Sequence, residues 1–266
     1  MANPSGNYPG RQIFLGGLKS GCPAFVYFGS GRSDLSKKRY VQDIEDGQAM
    51  RINPLNPNEK VDIFRHYQAV RIDPRTGLIV VSNSQAPNDA VFEAYMYMDE
   101  GEKLSGGFLR NIMELIGPEY DDRKISADGV VTIDKTKIPT PRVIGVMFPD
   151  NSGAFHYTPM FTPKMDLSLG LTHAVQFNGM LEFIQTYNGD VDYKPFDYAH
   201  TARVFETEAS TAEQLANELY EISDYEDSEY GILRVWSLAG VRNGDGPGGW
   251  DITVRDPKRP DHAIRI

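Results

Sequence analysis

Two short apolar runs, RQIFLGG (11–17) and AFVYFG (24–29), flank a turn rich in Gly and Pro. That pattern predicts an antiparallel hairpin. QAVRID (68–73) and LIVVSN (78–83) repeat it, with Pro74 and Gly77 supplying the turn. DAVFEAYMYM (89–98) and LSGGFLRNIMELIG (104–117) then read as helices, the second carrying Phe108, Leu109, Ile112, Met113 and Ile116 at helical spacing. GVVTID (129–134), PRVIGVMF (141–148) and LEFIQTY (181–187) read as further strands. Ser210 and Glu213 match a capping box, and Leu215, Leu219 and Ile222 mark the apolar face of the helix it opens. GILRVWSLAG and WDITVRD, around NGDGPGG (243–249), form a terminal hairpin. Strands, helices and strands follow one another without βαβ alternation. This order implies an α+β fold with largely antiparallel sheets. No linker divides the chain, so residues 1–266 are read as one domain.

Charge narrows the function classes. The chain carries 27 Lys+Arg against 37 Asp+Glu, a net charge of -10. This argues against broad nucleic-acid binding and against an anionic membrane surface. Nine acids and no Lys or Arg fall within 204–233, a pattern read as a solvated helix face and loop. The single cysteine, Cys22, excludes an intrachain disulfide and a cysteine-rich zinc site. The start MANPSGNYPGRQ has no apolar signal core, and VIGVMF (143–148) is among the longest apolar runs. The expectation is a soluble, cytoplasmic protein. The five histidines are scattered without a metal-binding motif, so no metal is assigned.

Against this acidic background, YFGSGRSDLSKKRY (27–40) gathers Arg32, Lys37, Lys38 and Arg39 beside one acid, Asp34. It is neither a Walker A loop nor a dinucleotide fingerprint, because Asp34 stands where the last glycine belongs. Its chemistry still suits phosphate. Arginine offers a planar fork, Ser33 and Ser36 offer hydroxyl donors, and Gly29 and Gly31 would let backbone approach an anion. The competing reading is a solvated basic turn. The first hairpin would bring Arg11 to this knot, and Arg142 opens another strand after Thr140-Pro141.

NYPGR (7–11) followed by GRSDLSKKR (31–39) resembles the paired signature of the archaeal-type inosine monophosphate cyclohydrolases and their bacterial relatives. HYQAVRI (66–72), VVSN (80–83) with Asp89, TPRV (140–143) and QTYNGD (185–190) are similar to further motifs of that family, in the same order. Ser84, Gln68, Gln185 and Val191 depart from its pattern. The resemblance implies a four-layer αββα sandwich of mainly antiparallel sheets, like the N-terminal-nucleophile hydrolases. It implies closure of formamidoimidazole-carboxamide ribotide to inosine monophosphate plus water, with no cofactor and no metal. The implied partner is a small ribotide with a 5′-phosphate, not nucleic acid or membrane, and a homo-oligomer is left open. By the same resemblance Arg32, Tyr67, Asp89 and Tyr27 are cast as catalytic. Arg11, Ser33, Ser36, Lys38, Arg39, Asn83, Arg142, Tyr187 and Asp190 are cast as substrate-binding. The alternative is a non-catalytic purine-nucleotide or ribotide-binding protein on the same scaffold. A third reading is an amide hydrolase that exposes Cys22 by self-cleavage at Gly21-Cys22, although Cys22 precedes Pro23 in a hairpin turn.

Overall fold

The structure is a computed structural model. It describes residues 9–31, 33–59, 66–97, 106–116, 123–125, 131–133, 142–158, 171–186, 203–223, 226–227, 231–244 and 246–258. First come β1 (Arg11–Gly17), β2 (Pro23–Ser30), the one-turn helix α1 (Asp34–Lys37), β3 (Arg39–Asp43), β4 (Ala49–Pro54), β5 (Gln68–Ile72) and β6 (Ile79–Ser82). Helices α2 (Gln85–Met96) and α3 (Gly106–Ile116) follow. Next are β7 (Arg123–Ile125), β8 (Val131–Ile133), β9 (Arg142–Met147), β10 (Gly153–Thr158), β11 (Leu171–Val175), β12 (Leu181–Gln185) and β13 (Arg203–Phe205). The last elements are α4 (Ala212–Ile222), β14 (Glu226–Asp227), β15 (Gly231–Ile232), β16 (Arg234–Arg242), a 3-10 turn at Pro247–Gly249, and β17 (Trp250–Arg255).

The fold is mixed α+β, with its strands mostly in two antiparallel sheets. One runs β13-β12-β1-β2-β16-β17 and the other β11-β10-β9-β6-β5-β4-β3. Period-two alternation decides what each face touches. On β2, Phe25 and Tyr27 join the apolar core that both sheets share, while Ala24, Val26 and Phe28 face the opposite way. That opposite face is covered by Leu215, Ala216 and Leu219 of α4. In the second sheet Val70, Ile79, Val81 and Val143 face the shared core. Leu78, Val80, Ile144 and Val146 instead pack under Val91 of α2 and Leu109 and Met113 of α3. Central strands are therefore apolar on both faces, which is why PAFVYFGS is buried throughout.

All three predicted hairpins form, with Arg11↔Gly29, Val70↔Val81 and Gly240↔Ile252 in register. Two helix starts differ from expectation. Helix α2 begins at Gln85 after Ser84, four residues before the expected start at Asp89. The capping box of α4 lies one residue later than Ser210–Glu213. Thr211 Oγ1 accepts from Gln214 N at 3.2 Å, and Gln214 Oε1 accepts from Ser210 N at 2.9 Å. Strands β3, β4, β7, β10, β11, β13 and β14 were not expected from sequence. Residues such as RYVQD and LTHAV have little alternation to betray them, and β3 and β11 are edge strands.

The two sheets are tied at one end. Trp250 Nε1 on β17 donates to the Gly77 carbonyl in the β5–β6 turn at 2.9 Å. Arg242 donates to the Thr76 and Pro149 carbonyls at 3.1 and 3.0 Å. Trp250→Phe leaves the Gly77 carbonyl buried without its donor and shrinks a buried ring. It is expected to destabilise the protein by about 2 kcal/mol, read from urea unfolding midpoints.

Candidate functional site

The candidate site lies at the end of the sheets away from Trp250. Antiparallel pairing brings the first residue of β1 beside the last turns of β2: Arg11 is opposite Gly29, and Ser30 N donates to the Gly10 carbonyl at 3.0 Å. Thr186, just past β12, holds this corner from the other side. Its hydroxyl accepts from Arg11 N at 3.0 Å and donates to the Pro9 carbonyl at 3.1 Å. The chain then makes the α1 turn and enters β3 of the other sheet at Arg39. The basic knot is thus the crossing from one sheet to the next.

That crossing is tight. A Cβ at Gly29 would meet Trp236 ring carbons at 2.4 and 2.5 Å, and one at Gly31 would meet Ser36 Oγ at 2.7 Å. These glycines therefore make room for Trp236 and for the α1 turn, which is a different role from the anion approach expected of them. Ser33 and Ser36 are committed to each other: Ser33 Oγ donates to Ser36 Oγ at 3.0 Å and accepts from Ser36 N at 3.1 Å. Lys38 is exposed. Arg39 is fully buried.

Two guanidinium groups converge on one oxygen. Arg11 Nη1 donates to the Ser30 carbonyl at 2.6 Å, and Arg39 Nη2 reaches the same carbonyl at 3.4 Å. Arg39 Nε donates to the Ser36 carbonyl at 2.5 Å. Arg11 Nε donates to the Tyr67 hydroxyl at 3.2 Å. Tyr67 comes from the approach to β5, and its hydroxyl lies 2.6 Å from that of Tyr27 on β2. Both tyrosines are buried in the core between the sheets. Burial pushes the Tyr27 hydroxyl well above its ordinary value, and the neighbouring Tyr67 adds to this; Arg11 and Arg39 only partly oppose it. Tyr27 therefore stays protonated. The pair carries two hydroxyl protons and their mutual bond uses one. The second is available to an acceptor, polarised by the Arg11 bond to Tyr67. Cation, hydroxyl donor and a largely dry surrounding are what an oxyanion or phosphate needs.

The other expected residues divide. Asn83 Oδ1 accepts from Val143 N at 2.9 Å, tying β6 to β9. Arg142 is buried one position before Val143, which faces the shared core. Asp89 is not brought to the tyrosine pair. It bonds Arg71 Nη1 at 3.1 Å, and Arg71 stacks on Phe92 at 4.1 Å. Val70 and Ile72 on either side of Arg71 face the shared core, so Arg71 and Asp89 lie on the face covered by α2. Arg71 also lines a recess of about 260 Å³ there, with Glu45, Asp73, Arg75 and Phe92. Cys22 sits in the β1–β2 turn, at the opposite end of the hairpin from Arg11, and packs against the α4-side core. Arg32, Tyr187 and Asp190 lie outside the described residues. Ser30 and Thr186 were missed by sequence reading. Ser30 acts through its carbonyl and Thr186 through its hydroxyl, and the one available sign was a hydroxyl residue at each strand exit.

No known family model matches the chain, and no curated protein is significantly similar to it. Among the described residues no helix is long and apolar enough to cross a membrane, and no group of three or more His, Cys, Asp or Glu is placed to hold a metal ion.

The raised Tyr27 value has a consequence for alkaline stability. The unfolded chain releases this proton near pH 10, whereas the folded chain keeps it. Tyr27 thus contributes stability that is complete below pH 10 and is lost as pH rises above it toward the folded value. Tyr27→Phe should flatten the fall of unfolding free energy above pH 10 by up to about 1.4 kcal/mol per pH unit, measured by urea titrations at stepped pH. An unchanged slope would show that Tyr27 titrates as an ordinary tyrosine.

Proposed function

We propose that the protein is a cyclohydrolase of the inosine monophosphate type, closing formamidoimidazole-carboxamide ribotide to inosine monophosphate plus water. The observation that carries this reading is the convergence of Arg11 and Arg39 on the Ser30 carbonyl beside the Tyr27–Tyr67 pair. Two further points support it. Arg11, Ser36 and Arg39 belong to the motifs that resemble the family signature. The packing, with α4 outside one sheet and α2 and α3 outside the other, is compatible with the four-layer αββα sandwich that the resemblance implies.

In this reading the arginines hold the 5′-phosphate and the developing oxyanion. The carboxamide nitrogen attacks the formyl carbon of the same imidazole. The C–N bond forms, the formyl oxygen takes up charge, and loss of that oxygen as water completes the ring. Both reacting groups sit on one molecule, so the enzyme's chief contribution is to hold the attacking rotamer. Tyr67, hydrogen-bonded to Tyr27, donates a proton to the formyl oxygen. The carboxamide nitrogen and the formamido nitrogen each give up one proton, one restoring the Tyr67 hydroxyl and the other completing the departing water.

A second reading is a ribotide-binding protein without turnover. It is favoured by the position of Asp89, which is held by Arg71 on the α2 side and does not face the tyrosine pair. Incubating the purified protein with the formamido ribotide and following inosine monophosphate by chromatography separates the two. Tyr67→Phe should lower turnover by about 100-fold or more while the Kd for inosine monophosphate stays within about threefold. Binding without product in the parent protein would favour the second reading. Equal loss of binding and turnover would make Tyr67 a positioning residue.

A further inference from the structure

The last residues of β17 lie beside the same corner. Ser30 at the end of β2 is opposite Arg234 at the start of β16, and Ser237 of β16 is opposite Arg255 at the end of β17. One end of the six-stranded sheet therefore lines up Arg11, Ser30, Val235 and residues 256–258. Trp250, Ile252 and Val254 face the core between the sheets, and the same alternation puts the buried Asp256 on that face. Asp256 Oδ1 accepts from Lys258 N at 3.1 Å and fixes the turn that follows the strand. Lys258 is an exposed residue, yet its ammonium is directed inward, 3.5 Å from the Val235 carbonyl. That separation is at the limit of a hydrogen bond, so the carbonyl engages the cation only weakly.

We propose that Lys258 is a third cationic arm of the anion site, closing with Arg11 and Arg39 on the phosphate dianion of a monoester ligand. This rests on the reading of that corner as a phosphate site. The geometry points inward from three elements: β1 through Arg11, the α1–β3 crossing through Arg39, and the turn after β17 through Lys258. Charge supports it. Burial lowers the Lys258 pKa, Arg39 and Lys37 lower it further, and Asp256 raises it. A lysine placed where two neighbouring cations disfavour its charge is stabilised by an arriving dianion. Its compact ammonium on a flexible stem suits closure over a ligand that Arg39 would meet from the opposite side.

The test uses inosine monophosphate, inosine and inorganic phosphate in calorimetric titrations of the full-length chain. Lys258→Met should weaken inosine monophosphate binding about tenfold or more, and Lys258→Arg should recover most of it. Inosine, which lacks the phosphate, should not distinguish the variants. Thermal unfolding without ligand should be the same for all three proteins, because the residue is exposed, and this excludes a folding defect. Parental affinity in Lys258→Met overturns the proposal and leaves the cyclohydrolase reading standing. If the parent binds inorganic phosphate with a Lys258 dependence but not inosine monophosphate, the ribotide reading fails and the Lys258 arm survives. If it binds neither, both fail.

Discussion

The Ser30 carbonyl receives two guanidinium groups, and the rest of the corner is arranged around that contact. Arg11 arrives from β1 and Arg39 from β3, so one backbone oxygen links the first residues of strands in different sheets. Two like charges so close repel, and burial removes the water that would screen them. The arrangement is tolerable because the Ser30 carbonyl accepts from both groups, the Tyr67 hydroxyl accepts from Arg11 and the Ser36 carbonyl accepts from Arg39. In the proposed reading, an anion bound at the corner relieves that repulsion directly.

The two ends of the sheets divide the work. At one end Trp250 and Arg242 clamp sheet to sheet through backbone carbonyls of the β5–β6 and β9–β10 turns. At the other the chain itself crosses between sheets through the α1 turn. Trp236 fills the space under that crossing, stacked obliquely on Tyr27 at 5.0 Å between ring centroids. This gives Tyr27 a fixed rotamer and a dry setting, and so keeps its proton in place. Rigid support of this kind is what a site needs if hydroxyl and guanidinium groups are to meet a reacting atom without reorganising.

Much of the fold could be read from residue patterns, for reasons visible in individual elements. The β1–β2 hairpin announced itself because its strands are long and apolar on both faces, and the β16–β17 hairpin because Trp250, Ile252 and Val254 alternate cleanly with Asp251, Thr253 and Arg255 after a glycine-rich turn. Strands β3 and β11 did not, since an edge strand needs little apolar alternation to be held in place. The site was legible in its cations and less so in its geometry. Arg11 and Arg39 meet as the hairpin requires, but Gly29 and Gly31 serve Trp236 and Ser36, and Ser33 and Ser36 serve each other. Asp89 was placed by motif order, and motif order carries no information about which face of a sheet a helix covers. Lys258 had no local signal at all. Its relevance comes from strand register across β2, β16 and β17.

The most direct test is a crystal structure of the protein with inosine monophosphate. The account predicts the phosphate oxygens within about 3 Å of the Arg11 and Arg39 guanidinium groups, with the base directed toward the Tyr27–Tyr67 pair. Density for the nucleotide on the α2 side, in the recess lined by Arg71 and Phe92, would contradict it.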